Sequence, residues 1–288
     1  MEEKAFRDWL SSYTDPEAAL SAFASQKTFF RVNTLKLTVG EFEGKSRLRR
    51  TKTPYYDAAF ALDENLQIGK TWEYFLGLIH PQAMPSILVS LVLDPKPGET
   101  VLDVASAPGS KLSHMAMLME NRGVLVGNDL KGEKVSALFS TINRLNVLNC
   151  IVTTLDGSRL PWKEKFDKVL LDAPCTALGS GAAAFSRWDE THSERIAELQ
   201  KRMIASAYDA LRPGGAMVYS TCTYAREENE DVVGALLESR QDSRLEAVDL
   251  AFPREQGLGE EFKSCCRVYP QHLQSEGFFI ARISKVVG

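Results

Sequence analysis

The chain has 288 residues, of which 44% are hydrophobic and 25% charged, with a formal net charge of -4 at pH 7. This length allows a sizeable core in one domain or two, and the composition is that of an ordinary soluble protein. The small net charge excludes nucleic-acid binding driven by overall charge alone. Residues 1–5 are acidic and lack an apolar core, so we expect no signal peptide, and no apolar run reaches membrane-spanning length.

The cysteines indicate a reducing compartment. Their number is odd and their spacing fits no metal site, which predicts free thiols and a cytoplasmic location. The four histidines are scattered, so we expect no metal centre. The cysteines are Cys150, Cys175, Cys222, Cys265 and Cys266, and the histidines are His80, His114, His192 and His272.

The first third of the chain predicts a small α+β region. Residues 4–24 form one or two helices, residues 29–36 a strand and residues 81–93 an apolar helix. Between them, residues 45–52 form a basic loop, followed by Tyr55, Tyr56 and Phe60. Basic residues interleaved with aromatics can bind single-stranded RNA through phosphate pairing and base stacking. The same pattern equally fits a solvated surface loop beside a small core. The Pro- and Gly-containing break at 94–98 predicts a boundary between units 1–94 and 95–288.

Beyond this boundary, strands and helices alternate. We predict strands at 100–105, 123–129, 150–155, 168–172, 216–221 and 278–283, and helices at 111–120, 133–145, 187–211 and 227–239. Alternation of this kind indicates an α/β fold with a parallel, doubly wound sheet.

The predicted strand ends carry groups suited to an adenosine-type cofactor. Residues 103–111 form a loop of small residues that opens a helix, where backbone amides approach a ligand closely. Asp129 and Asp156 follow the next two strands, and an acid there accepts hydrogen bonds from ribose hydroxyls. The Gly-x-Gly-x-x-Gly fingerprint is absent, which disfavours a dehydrogenase.

Two further strand ends carry thiols. Asp172-Ala-Pro-Cys175 closes one strand and Cys222 closes another. Chemistry in open α/β sheets gathers at the carboxyl ends of strands, yet free cysteine is also a common inert core residue. The thiols alone leave both interpretations open.

These motifs together resemble the RNA 5-methylcytosine methyltransferases of the Nop/Sun (RsmB/Fmu-like) family. The resemblance runs from about Arg31 to the C-terminus, and the order of its two cysteine motifs is highly specific. It implies a Rossmann-like S-adenosylmethionine-dependent methyltransferase sheet with a small N-terminal α+β RNA-binding region. Its motifs are RVNTLK at 31–36, DVASAPGSK at 103–111, DAPC at 172–175, STCTYAREENE at 220–230 and GFFIA at 277–281.

The resemblance also implies roles for individual residues. The methionine end of S-adenosylmethionine would lie on Ala105, Ser106, Ala107, Pro108, Gly109, Ser110 and Lys111. Asp129 would bind the ribose, Asp156 the adenine, and Lys134 would face the cofactor. Asp172 would face both the methyl group and the target base. Cys222 would be the nucleophile, Cys175 would assist product release, and Lys111 would join the catalytic group.

Cytosine chemistry explains why such groups are needed. Carbon 5 takes a methyl group only after thiolate addition at carbon 6 has made it enamine-like. Only the thiolate attacks well, so Cys222 must lose its proton. Asp172 would protonate or hydrogen-bond ring nitrogen 3, which a desolvated carboxyl permits. The target base must also leave its stack.

The sequence departs from the family in the stretch 177–188, where small residues replace a basic, Pro-containing segment and predict a mobile loop. Cys265 and Cys266 have no family role and are expected to pack in the core. We expect a monomer that acts on RNA, without a metal or a membrane. The preferred substrate is tRNA, because the chain is compact. The alternatives are rRNA and a non-catalytic RNA-binding relative.

Overall fold

The computed structural model describes residues 2–130, 132–181 and 190–287, and their strands form two separate sheets. Helices and strands alternate irregularly in the N-terminal part. They are α1 (Glu2–Leu10), α2 (Pro16–Ala24), β1 (Phe29–Val32), α3 (Val39–Lys45), β2 (Arg50–Lys52), β3 (Ala59–Leu62), α4 (Trp72–Phe75), β4 (Ile79–Pro81) and α5 (Met84–Leu93).

The rest of the described chain alternates more regularly until its last forty residues. Its elements are β5 (Thr100–Asp103), α6 (Ser110–Leu118), β6 (Val124–Asn128), α7 (Gly132–Leu145), β7 (Cys150–Thr153), β8 (Phe166–Asp172), α8 (Glu190–Ala210), β9 (Leu211–Thr221), α9 (Glu230–Ser239), β10 (Ser243–Glu246), β11 (Glu255–Gln256), β12 (Cys266–Val268), α10 (Pro270–Leu273) and β13 (Phe278–Lys285). Within these ranges no helix is long and apolar enough to cross a membrane.

The large sheet has the strand order β11-β12-β13-β9-β8-β5-β6-β7, and β10 pairs with β13. Strands β7, β6, β5, β8 and β9 are parallel, as predicted. The late strand β13 instead runs antiparallel to β9, with Ile280 opposite Ser220. Strands β10 and β12 also pair antiparallel with β13, so the sheet changes from parallel to antiparallel pairing beyond β9.

Helices cover both faces of the large sheet, which explains why its central strands are continuous apolar runs. On one face, helices α5, α6 and α7 contribute buried side chains such as Ile87, Met115 and Leu138. On the other face, α8 and α9 contribute side chains such as Ile204 and Val232. The carboxyl edge of the five parallel strands is therefore built on a rigid base.

The small sheet is antiparallel, with the order β2-β3-β1-β4, and has its own core around Phe30, Phe42 and Phe60. Strand β1 ends at Val32, earlier than predicted, because Asn33 turns the chain and its side-chain amide donates to Gly77 O and Leu145 O. The basic run 45–52, predicted as a loop, is the end of α3 followed by strand β2.

Buried polar contacts join the small sheet to the large one. The guanidinium of Arg31, which is fully buried, donates to Gln82 Oε1 and to Ser110 O at the start of α6. Helix α1 packs against Tyr224 and Tyr269, beside the strand-end loops of the large sheet. The two parts thus form a continuous packed body, and the boundary after residue 94 stays a prediction.

Candidate active site

Two half-buried thiols lie side by side at the carboxyl ends of β8 and β9. These strands are parallel neighbours with Asp172 opposite Ser220, so the residues that follow them meet at one edge. The sulfur atoms of Cys175 and Cys222 are 3.3 Å apart and share a hydrogen bond. That hydrogen bond, together with burial, raises the pKa of Cys222 well above its ordinary value. The free protein therefore keeps Cys222 as a thiol.

The loop after Cys175 is fixed by a buried carboxyl group. Glu228 Oε2 accepts from the Thr176 amide at 3.0 Å and from Gln200 Nε2 at 3.1 Å, and its other oxygen accepts from Thr176 Oγ1. Burial raises the pKa of Glu228. The position of the first thiol thus depends on a residue from the motif that carries the second thiol.

The loop after Cys222 is fixed in a similar way. Asn229 Oδ1 accepts from Thr221 Oγ1 at 2.6 Å, and its amide donates to Thr223 O at 3.0 Å. Its neighbour Glu230 forms a buried ion pair with Arg267, whose guanidinium also donates to Tyr224 O at 2.9 Å. Asn229 and Glu230, predicted only as part of a helix over 227–239, therefore hold the nucleophile loop.

An ion pair lies next to the thiols. Lys111 Nζ donates to Asp172 Oδ2 at 2.7 Å, and Ser220 Oγ donates to Asp172 Oδ1 at 2.7 Å. The Lys111 side chain is only 12% exposed and lies 5.2 Å from the centre of the Phe278 ring. Burial opposes its charge, but Asp172 and Cys222 overcome this and raise the pKa of Lys111. The group is therefore a fixed cation beside the sulfur atoms.

The predicted cofactor loop forms a cleft that leads to this ion pair. Its lining includes Ala105, Ser106, Ala107, Pro108, Ser110 and Lys111, together with Asp103 and Asp172. Gly109, the residue before α6, has a φ of 103°, and a Cβ there would lie 2.9 Å from Leu138 Cδ1. Only glycine fits this turn without strain.

Asn128 joins three strand ends around the cleft, a role that the sequence did not reveal. Its side chain donates to Val104 O and Leu155 O, each at 3.0 Å, and accepts from Thr153 Oγ1 at 2.9 Å. Its carbonyl accepts from the Ser106 amide at 2.7 Å. The loop that follows β5 is thereby held against the ends of β6 and β7.

The other predicted cofactor residues differ in their surroundings. Asp129 is buried and accepts from the Ala107 amide at 3.3 Å, so it lies at the cleft. Asp156 is 45% exposed and caps a short 3₁₀ turn through Ser158, whose hydrogen bonds lower its pKa. Lys134 is exposed on the first turn of α7.

Asp103, which sequence reasoning missed as a functional residue, is the most unusual group of the cleft. It is 1% exposed, and neither carboxyl oxygen has a hydrogen-bond partner of good geometry among the described residues. Burial and the nearby Asp172 raise the pKa of Asp103 to about 8, against the opposing effect of Lys111. The sequence feature that could have identified Asp103 as a functional residue is its position as the acid that ends β5.

A second surface, on the small sheet, presents aromatic and basic side chains. Trp72 and Phe75 are 75% and 70% exposed, and a groove of about 470 Å³ beside Trp72 is lined by Lys45, Arg47 and Lys70 among others. By contrast, Tyr55 and Tyr56 are half-buried and Phe60 is in the core. Arg50 donates to Leu48 O and Glu43 O and packs on the Phe42 ring.

The remaining candidates do not form sites. Among the described residues no group of histidine, cysteine or acidic side chains could hold a metal ion. Cys265 and Cys266 are buried in the core. The predicted mobile loop 177–188 lies largely outside the described residues.

The cleft suits S-adenosylmethionine chemically. It combines close backbone amides, buried acids at the ends of β5 and β6, and a partnerless carboxyl group of the kind that a cationic ligand satisfies. Together with the Rossmann-like sheet, these features define a methyltransferase fold that uses S-adenosylmethionine.

Comparisons with known proteins agree with this class. The family model described as 16S rRNA methyltransferase RsmB/F matches residues 90–284. The chain is 38% identical to a tRNA (cytosine(49)-C(5))-methyltransferase of Pyrococcus abyssi over 88% of this chain and 87% of that protein. It is 37% identical to ribosomal RNA small subunit methyltransferase F of Shewanella loihica over 89% of this chain but 56% of that protein.

A solved structure of a methyltransferase homolog from Pyrococcus horikoshii superposes with a TM-score of 0.85 at 34% identity, covering 98% of this chain and 95% of that one. The chain therefore belongs to the RsmB/F family of methyltransferases. The resemblance, the fold class and the cofactor predicted from the sequence are confirmed.

Proposed function

We propose that this chain transfers a methyl group from S-adenosylmethionine to carbon 5 of cytosine in RNA, through a covalent bond between Cys222 and carbon 6. The observation that carries the proposal is the pair of thiols 3.3 Å apart, at the edge where the Lys111–Asp172 ion pair and the cofactor cleft meet. A non-catalytic RNA-binding relative would have no need for this arrangement.

tRNA is our preferred substrate and rRNA the alternative. The chain spans 87% of the relative named as a tRNA enzyme, but little more than half of those named as rRNA enzymes. A monomer in the cytoplasm remains our prediction for the assembly and the location.

The cleft residues would bind and orient the cofactor. The loop from Ala105 to Lys111 would cradle its methionine end, with Asp129 toward the ribose and Asp156 and Lys134 farther along. When bound, S-adenosylmethionine supplies the methyl group. The fixed loop conformation at Gly109 and the Asn128 hydrogen bonds keep these amides in place before the cofactor arrives.

The thiol half of the site would activate the base. The Cys222 thiolate adds at carbon 6, and negative charge builds on the ring as it does. Asp172, which already accepts from Lys111 and Ser220, would take the proton that the Cys222 thiol loses and share it with ring nitrogen 3. The cationic Lys111 nearby stabilises both the thiolate and the charge that develops on the base.

After methyl transfer, carbon 5 must lose its proton and Cys222 must leave carbon 6. Cys175, whose sulfur is in hydrogen-bond contact with that of Cys222, would stabilise the departing thiolate. Cys222 would thus act in the first step, addition at carbon 6, and Cys175 in the last step, release of the product.

Replacement of each thiol tests this division of labour. Cys222→Ala should abolish methyl transfer and any covalent protein–RNA species, because no nucleophile remains. Cys175→Ala should still attack and methylate, then stall with the RNA attached. Denaturing gels of each variant with RNA and cofactor would show a slow-migrating band for Cys175→Ala that the double variant loses.

Cys150→Ala serves as the matched control, since it removes a half-buried thiol at β7 that takes no part in the reaction. It should turn over without a stable band. A band in Cys222→Ala but not in Cys175→Ala would reverse the roles. Unchanged turnover in both variants would rule out the covalent mechanism for this protein.

We further propose that the groove of Lys45, Arg47 and Lys70, with Trp72 and Phe75, contacts the RNA. Replacing the three basic residues with Gln should weaken RNA binding and flatten its salt dependence, because fewer counterions are released. Trp72→Ala should weaken binding by roughly 1–3 kcal/mol through lost stacking, with the salt slope unchanged.

Filter binding over a range of salt concentrations measures both effects. Phe139→Ala is the control, because Phe139 is an exposed aromatic on α7, away from the basic groove. Arg50 is unsuitable for charge removal, since its guanidinium holds the backbone of its own loop. An unchanged salt slope in the triple variant would show that the groove does not bind RNA.

A further inference from the structure

Glu276 is a carboxyl group at the thiol site that the mechanism so far does not use. It lies in the turn between α10 and β13. The next residue, Gly277, donates its amide to Gly179 O at 2.8 Å, and the Gly179 amide donates to Cys222 O at 2.9 Å. Two backbone hydrogen bonds therefore connect the turn that carries Glu276 to the nucleophile.

Close packing fixes this turn. A Cβ on Gly277 would lie 2.1 Å from the Tyr224 hydroxyl oxygen, so the backbone passes directly over that ring. On the other side, Gln274 O accepts from the Lys27 amide at 2.9 Å. The turn is thus held from both the nucleophile loop and the N-terminal segment, and Glu276 has a defined position.

The carboxyl group of Glu276 is half-buried and forms no hydrogen bond or ion pair within residues 2–130, 132–181 and 190–287. It lines a cavity of about 280 Å³ between the two parts of the chain, together with Lys27, Gln82 and Ser275. Burial raises its pKa and Asp172 adds to this, while Lys111 opposes it. Its charge also acts on Cys222 and Tyr224.

The reaction needs a proton acceptor at carbon 5. After methylation, carbon 5 carries both a methyl group and a hydrogen. Asp172 already accepts hydrogen bonds from Lys111 and Ser220, and the Cys175 thiol already shares a hydrogen bond with the sulfur of Cys222. Two carboxyl groups near this site have no partner of their own in the described chain, Asp103 and Glu276. Asp103 is only 1% exposed and lies in the cofactor cleft, which leaves Glu276.

We infer that Glu276 is the base that removes the proton from carbon 5 of the cytosine adduct, an inference that rests on the proposed function. The C5–H bond breaks and its proton passes to the Glu276 carboxylate. Its electron pair forms the C5=C6 double bond, and the C6–S bond breaks with its electrons on the Cys222 sulfur. Cys175 stabilises the departing sulfur of Cys222, and Glu276 accepts the proton from carbon 5.

Hydrogen exchange at carbon 5 tests this role without the cofactor. RNA tritiated at carbon 5 of cytosine should release tritium to water when Cys222 adds reversibly and a nearby acid–base group exchanges the proton. Glu276→Gln should lower this release by about 100-fold or more, the usual contribution of a general base. Glu276→Asp should retain part of it. With cofactor present, Glu276→Gln should accumulate a methylated adduct on denaturing gels.

Chemical rescue separates catalysis from a structural role. Formate should restore tritium release to Glu276→Ala, because a small carboxylate can occupy the vacated space, and it should leave Cys222→Ala inactive. Glu260→Gln, at an exposed acid before β12, is the control and should match the unaltered chain.

The two proposals fail in different ways. If the unaltered chain forms no 5-methylcytosine, the proposed function is wrong. If it does, and Glu276→Gln releases tritium at the unaltered rate, only the role of Glu276 is overturned. A loss of release in Glu276→Ala that formate does not restore would also overturn it, because it would indicate a structural residue.

Discussion

The two halves of the carboxyl edge are built differently. The thiol half, after β8 and β9, is held by buried side-chain hydrogen bonds from Glu228, Asn229 and Glu230. The cofactor half, after β5, β6 and β7, relies on loop backbone and one buried amide, Asn128, and it ends in the half-exposed Asp156.

The difference follows from the work that each half would perform. A covalent reaction requires the attacking sulfur and the target atom to meet with small positional error, and errors of about 1 Å can cost about 100-fold in rate. Cofactor binding spreads its energy over many weaker contacts. Buried hydrogen-bond networks are therefore concentrated at the thiol half, where a single covalent bond would form. Loss of one member of such a network should reduce stability and activity more than a comparable loss in the cofactor half.

The largest loss of stability should come from the thiol half. Glu228→Ala removes the acceptor of the Thr176 amide, the Thr176 hydroxyl and the Gln200 side chain. Buried donors left unpaired cost about 1–3 kcal/mol each, so we expect roughly 3 kcal/mol or more of lost stability. Urea unfolding would measure this change, and adduct formation should fall with it.

Glu238→Ala, on the exposed face of α9, provides a matched control and should change stability by less than about 0.5 kcal/mol. If the two variants were equally stable, the network around Cys175 would not be the stabilising element that the hydrogen bonds indicate.

Asp103 gives an effect of a different kind, a dependence of stability on pH. Because its pKa is raised from 3.8 to about 8, the folded state binds its proton more tightly than the unfolded state. The stability from this group is complete below about pH 4, decreases as the pH rises toward 8 and then levels off. The slope in that window is about 1.4 kcal/mol per pH unit for one proton.

Asp103→Asn lacks this titration. Its melting temperature relative to the unaltered chain should therefore increase between pH 4 and pH 8 and stay constant above that. A difference that does not change with pH would mean that Asp103 titrates normally in the folded protein.

Replacement of the acids predicted to bind the ribose and the adenine should show the smallest effects. Asp129→Ala should weaken S-adenosylmethionine binding by roughly 10- to 100-fold, since hydrogen bonds to a charged group contribute about 1.5–3 kcal/mol. Asp156→Ala should weaken it less, because Asp156 is largely solvated and bonds its own turn. Titration calorimetry would rank the two variants.

Asp249→Ala removes an exposed acid after β10 and should leave the affinity unchanged. Equal affinities for Asp129→Ala and Asp249→Ala would exclude Asp129 from the cofactor site. A greater loss for Asp156→Ala than for Asp129→Ala would show that energy is distributed differently along the cleft.

Sequence patterns pointed to most of the candidate site because its residues lie at the ends of apolar strands. Asp172, Cys175 and Cys222 were visible in this way, and parallel neighbours bring such ends together. The basic run 45–52 was misleading, because charge in a sequence does not reveal which guanidinium is free. Arg50 proved structural, whereas the exposed rings are those of Trp72 and Phe75.

By itself the sequence determined the alternation of strands and helices, the acids and thiols at their ends, and the family. These features are local, since each depends on residues close together along the chain. Tertiary structure decided the antiparallel direction of β13, the burial of Asp103 and the bridging role of Arg31. It also decided the backbone hydrogen bonds that connect the turn of Glu276 to Cys222. Each of these depends on contacts between segments distant in sequence, where burial and neighbouring charge set the chemistry of a side chain.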